Sequence, residues 1–176
     1  MSDTPGNGGA NAEQQQAPLT INGQYIKDLS FEAPNSPAVF PELQNTQPEI
    51  KVNVDVQANK IESPENANMF EVVLDIGAEL KAGDKVGFIV ELKYGGVFTL
   101  NVAEEHTGAM LVIECPRMLF PFARNIISDA TRDGGFVPLL LQPIDFAAMY
   151  QANLAQQTQD LDTEVSDLVD KKDGDA

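Results

Sequence analysis

His106 is the only histidine in the sequence, and it directly follows two carboxylates, Glu104 and Glu105. Any Ser-His-Asp or Cys-His arrangement would have to use it as the base. The three neighbours could also be offered as metal ligands. Consecutive residues in a polar turn (AEEHTG) lack the spacing of a metal site, however, so a solvated loop and no metal are expected. The single cysteine, Cys115, precedes a proline at a strand-to-helix junction. A small buried group is expected there rather than a nucleophile. Being alone, it forms no internal disulfide, which suits a reducing cytoplasm. The glycine pairs 95–96 and 134–135 match neither a phosphate loop nor a dinucleotide fingerprint. These types and spacings predict no catalytic site and no cofactor, so function must lie in surfaces.

The overall charge narrows the partners. A formal net charge of -16 excludes a nucleic-acid backbone as the expected partner, because phosphate binding needs clustered Lys and Arg. A basic client or basic docking surface is attracted instead. The opening MSDTPGNGGANAEQQQ has neither the basic side chains nor the apolar run of a secretory signal. No stretch approaches the roughly 18 apolar residues that span a bilayer, so no direct membrane insertion is expected.

Composition divides the chain of 176 residues into three parts. Residues 1–18 are rich in Gly, Asn, Gln and Ala without apolar periodicity, and predict a disordered lead. Residues 160–176 carry seven acidic and two basic side chains and predict a disordered acidic tail, with Leu161, Val165, Leu168 and Val169 able to form a transient helix on a partner. The domain lies between them, at 19–159, and acidic residues outnumber basic ones there too.

The elements that must position any surface are legible as periodicities. In 19–32, Tyr25, Lys27, Leu29 and Phe31 alternate with Ile26, Asp28, Ser30 and Glu32. The segment 33–48 holds four prolines and reads as a long loop carrying Val39, Phe40 and Leu43. Ile50, Val52, Val54 and Val56 then form one face of a second strand, and Phe70, Val72, Leu74 and Ile76 one face of a third. After a tight turn at KAGD (81–84), Val86, Phe88, Val90, Leu92 and Tyr94 alternate with Gly87, Ile89, Glu91 and Lys93. Gly95 and Gly96 predict a bend or bulge in that strand. Beyond residue 110, Pro116 suits the first turn of a helix in which Met118, Leu119, Phe122, Ile126 and Ile127 recur. FVPLLLQPID connects it to a final helix over about 144–158 with Phe146, Met149, Tyr150 and Leu154 on one side. Four strands followed by two helices predict an α+β domain, a four-stranded antiparallel sheet with the helices on one face. The opposite face, and apolar residues on both sides of the late strand, predict self-association.

The blocks YIKDLSFEAPNSPAVF (25–40), QPEIKVNVDV (47–56), FEVVLDI (70–76), GFIVELKYGGVF (87–98), CPRMLFPFARNIISD (115–129) and FVPLLLQPIDFAAMYQ (136–151) together resemble the bacterial SecB family of protein-export chaperones. The resemblance covers nearly all of 25–154 in order. Arg117 stands where the family often has Asn, and 99–114 and the acidic tail diverge.

The resemblance implies a cytoplasmic, non-enzymatic homotetramer, a dimer of dimers. Such an assembly binds unfolded precursor proteins, keeps them translocation-competent and delivers them to the SecA motor. It implies motor docking by Asp28, Glu32, Ile89 and Glu91, and a second motor contact through the acidic tail. It places a client groove among Phe31, Phe40, Ile50, Val52, Val54, Phe70 and Tyr150, and subunit contacts at Val90, Leu92 and Tyr94. Three other readings compete: a chaperone on the same fold dedicated to one client such as an antitoxin, a small enzyme using Glu105 and His106, and a purely structural oligomer.

Overall fold

In the computed structural model, which describes residues 17–62 and 67–156, the alternation in the sequence becomes a register. Val72, Leu74, Ile76, Ala78 and Leu80 stand opposite Gly96, Tyr94, Leu92, Val90 and Phe88. With both strands offering apolar side chains to the same side, this pair forms the centre of the core. Four antiparallel strands, β1 (Leu19–Glu32), β2 (Glu49–Lys60), β3 (Met69–Ala82) and β4 (Lys85–Leu100), are ordered β1-β4-β3-β2. The turn from β3 to β4 is only two residues long, and Gly83 takes the positive φ of 58° that it needs. The expected lead up to residue 16 and the acidic tail lie outside the described residues.

Helices cover one face only. The longest, α3 (Cys115–Asp133), lays Leu119, Phe120, Ala123 and Ile127 against the sheet. A last helix, α4 (residues 146–156), is capped by Asp145, whose Oδ1 accepts the Ala148 N–H at 3.0 Å. Its buried Phe146 meets Phe120 edge-on, with ring centroids 6.2 Å apart.

Three local features depart from the sequence reading. The proline-rich segment contains a short helix, α1 (Val39–Asn45), held by the buried Val39; Pro41 falls in its first turn, where a missing N–H costs nothing. The helix expected beyond residue 110 begins earlier, with α2 (Glu104–Ala109) running through a π-helical turn (Met110–Glu114) into α3. His106 is therefore helical rather than in a loop. Pro116 lies inside this continuous run and can donate no backbone bond to Val112. The wider turn just before it, closed by the Cys115 N–H on the Met110 carbonyl, absorbs the interruption. Finally, β4 runs unbroken through Gly95 and Gly96, and the register shifts fall in its partner β1, at Asn22 and Lys27.

The two glycines are there for close approach. A Cβ on Gly96 would lie 2.7 Å from the Phe98 ring and 2.8 Å from Leu119, and one on Gly95 would lie 2.9 Å from the Tyr25 ring. We predict that Gly96→Val lifts α3 off the sheet and costs about 1–3 kcal/mol. Denaturant unfolding monitored by near-UV circular dichroism checks this, and an unchanged midpoint would show that the contact is not limiting.

Candidate functional site

The helices cover the middle of the sheet and leave the inner face of β2 open. Ile50 and Val52 are exposed there, and Val54 is half-buried. Opposite them runs the connecting segment 136–144, whose Val137 is 86% exposed and Leu140 61%. Between floor and wall lie two apolar cavities. One, of about 310 Å³, is bounded by Leu43, Ile50, Phe88, Phe136, Pro138 and Leu139. The other, of about 380 Å³, is bounded by Val52, Val54, Leu139, Leu140, Pro143 and Ile144. Leu139 borders both, so they form one groove along β2. No charged side chain lines either cavity.

Of the seven groove residues expected from sequence, Ile50, Val52 and Val54 line these cavities directly. Phe31 and Phe40 stand behind the wall. Phe31 stacks on Phe88 at 5.8 Å, Phe40 meets Phe136 at 5.2 Å, and Phe88 meets Phe136 at 5.1 Å. Phe70 is elsewhere, opposite Phe98 and Lys60 in the sheet register. Tyr150 lines a separate recess of about 50 Å³ with Val56, Val112 and Met149. The residues that sequence reasoning missed are those of the wall itself. Their signal was the run FVPLLL, too apolar for a plain connection and kept out of helix and strand by its prolines.

The subunit contacts expected at Val90, Leu92 and Tyr94 need correction. Val90 and Leu92 are fully buried under the helices of their own chain, and Tyr94 nearly so. Tyr94 stacks on Phe122 at 6.3 Å, and its hydroxyl donates to Gln24 at 3.2 Å. The period was read correctly, but this side of β4 faces inward. Apolar surface free for association lies instead on the inner face of β1 and the outer side of α3, where Ile26 is 49% exposed, Phe122 52%, and Leu29 and Met118 are exposed beside them.

The outer face of the sheet is polar. Lys27 is the extra residue of a bulge in β1, so Tyr25 shares this face with Asp28, Ser30 and Glu32, while Ile26 joins Leu29 and Phe31 inside. The strand pairing sets Ser30 against Glu91 and Glu32 against Ile89. All four residues expected to dock a motor therefore gather on two adjacent strands. Of the cations on this face, Lys27 pairs with Glu71 at 2.8 Å and Lys93, opposite Asp28 in the register, with Asp75 at 3.6 Å, while Lys51 lines a recess with Ile89 and Glu91. Among the described residues Asp28, Glu32 and Glu91 have no ion-pair partner.

Glu71 accepts hydrogen bonds from Lys27 and from the Tyr25 hydroxyl, and these hold its carboxyl below the usual range. Partial burial, helped by that bond and the Glu71 charge, pushes Tyr25 up to about 12. Burial, with the Glu114 charge adding to it, also pushes the Cys115 thiol up to about 12, which keeps it a neutral packing group at ordinary pH. The His106 imidazole is exposed, and among the described residues its side chain pairs only with Glu105, at 3.4 Å.

Residues 12–157 match the family model described as preprotein translocase subunit SecB. The chain belongs to the SecB family. A protein-export protein SecB from Rhodospirillum rubrum is 54% identical over 151 residues, covering 86% of this chain and 89% of its own. One from Paramagnetospirillum magneticum is 54% identical over 138 residues, covering 78% and 86%. A solved SecB-like chaperone of Mycobacterium tuberculosis, in complex with a peptide from an antitoxin, superposes with a TM-score of 0.58. That superposition covers 72% of this chain and 90% of the other, and at 14% identity it shows a shared fold. No helix among the described residues is long and apolar enough to cross a membrane.

The Glu71 cluster makes a pH prediction. Because its folded pKa is depressed, its contribution to stability is present above the ordinary carboxylate value and is lost as pH falls through the folded one. The gap in urea midpoint between wild type and Glu71→Gln should therefore be widest near neutral pH and close on acidification. A gap independent of pH would show that the carboxylate charge contributes nothing.

Proposed function

We propose that this chain is a chaperone for protein export that binds unfolded precursor proteins in the groove along β2 and passes them to the SecA motor. The observation that carries this is the pair of apolar cavities joined at Leu139. An open apolar channel without a charged group suits clients that share no sequence, since apolar burial is non-directional. Membership of a family whose relatives carry the name protein-export protein supports the same reading. Binding and release need no chemistry of the protein's own, and the chaperone acts as a non-enzyme in the cytoplasm. The single domain is 19–159, flanked by a lead and an acidic tail that adds a second motor contact.

The carboxylates Asp28, Glu32 and Glu91, in no ion pair among the described residues, form with Ile89 the docking surface for basic residues of the motor. Homotetramer formation, as a dimer of dimers, covers the apolar strip of Ile26, Leu29, Met118 and Phe122. A dedicated chaperone for one client is the second reading, favoured by the antitoxin peptide bound to the M. tuberculosis neighbour. Comparable affinity for several unrelated, reduced precursors would exclude it.

Two outcomes test these surfaces. Leu140→Asp, at an exposed wall position, should weaken binding of an unfolded precursor about tenfold in fluorescence titration while native mass is unchanged, because one buried charge outweighs the apolar contact it replaces. Joint reversal of Asp28 and Glu91 to Lys should weaken motor binding by tenfold or more at low salt and leave client binding intact. Unchanged motor affinity in a folded protein removes the outer face from the docking surface.

A further inference from the structure

We infer that Thr131 is a positioning residue that fixes the width of the client groove; this rests on the groove reading above. Among the described residues Thr131 is the one buried polar or charged residue, and it is fully buried. A valine of the same shape would fill the space without a polar atom, so the hydroxyl needs a reason. It sits in the last turn of α3, where Oγ1 lies 3.0 Å from both the Ile127 and the Ser128 carbonyl and donates to this pair. The same oxygen accepts the backbone N–H of Leu139 at 2.9 Å. The Thr131 carbonyl accepts a second wall donor, the Phe136 N–H, at 3.1 Å.

These bonds matter because the wall has nothing else of the kind. Pro138 and Pro143 have no N–H, and residues 136–144 pair with no strand. Among the described residues, the backbone hydrogen bonds of this segment all end on Thr131. Its other attachment is apolar and non-directional, through Phe136, Leu139, Leu141 and Ile144. Leu139, the residue pinned by the hydroxyl, is the one that borders both cavities. A single buried oxygen therefore holds the partition between the two halves of the groove at a set distance from β2. Without it the wall keeps only the Phe136 N–H bond at its start and its apolar contacts, and clients meet a channel of variable width around Leu139.

The test uses the full chain and a reduced, unfolded precursor as probe. Thr131→Val should abolish exchange protection of the Leu139 amide and raise the client Kd about tenfold, the scale of one buried donor left unsatisfied. Thr131→Ser, which keeps the hydroxyl, should restore both. Protection lost with Kd unchanged would overturn the inference, as would a Kd change that serine does not rescue. Should the valine variant not fold, Leu139→Pro against Leu139→Ala isolates the donor, since both lose the side chain and only proline loses the N–H. The proline variant should bind about tenfold more weakly than the alanine one; equal affinities would overturn the proposal. Leu140→Asp separates the two levels. If it leaves client binding unchanged, the groove reading itself fails, whereas weakened binding there with normal binding by Thr131→Val sinks only the role of Thr131.

Discussion

One helix is too narrow for four strands. A helix with its side chains is about 10–12 Å across, whereas four strands about 4.8 Å apart extend over roughly 15–20 Å. With β4 and β3 in the middle, α3 covers the centre and leaves the inner faces of both outer strands uncovered. The groove and the apolar strip both follow from those two margins. On the β2 side the connecting segment 136–144 comes close without closing the gap, and the gap is the groove. On the β1 side the end of α3 reaches only Phe31, and Ile26 and Leu29 lie open beside Phe122. The same shortfall in cover produces the groove proposed for clients at one edge and the apolar strip proposed for a second subunit at the other.

The outer face obeys a different economy. Lys27 and Lys93 are drawn toward β3, where Glu71 and Asp75 hold them, and Asp28, Glu32 and Glu91 are left outside any ion pair among the described residues. Tyr25 takes part by crossing above Gly95, where the missing side chain gives its ring room to reach Glu71. Position therefore matters more than net charge. An acidic composition would attract basic partners anywhere, but this pairing concentrates the attraction on one end of two neighbouring strands.

How much of this could be read in advance depended on period. Regular alternation in β2, β3 and β4 is sufficient to give the sheet, its inner face and the core, because strand side chains repeat every two residues. The acidic cluster on Asp28, Glu32 and Glu91 was legible for the same reason. Three things were hidden. A bulge adds a residue without a sequence mark of its own, so Ile26 was assigned to the face of Asp28. Pro116 imitates the start of a helix that in fact begins at Glu104, and only the π turn before it reveals the difference. Burial has no local signature in a strand that is apolar on one side, which is why Val90 and Leu92 could be mistaken for contact residues. The wall was the largest omission. Irregular backbone has no period, and Thr131, two residues before the end of α3, looks like any other threonine.

The bulge at Lys27 gives β1 two independent halves. Upstream of it the strand is phased so that Tyr25 reaches across to β3, and downstream so that Asp28 and Glu32 stand beside Ile89 and Glu91. Removing that one residue would make Ile26–Tyr94 and Asp28–Lys93 successive pairs of a regular ladder, leaving every side chain on its face but taking away the ammonium that holds Glu71. The inserted residue thus decides where a cation stands beside Tyr25, and leaves the direction of its neighbours to the ladder.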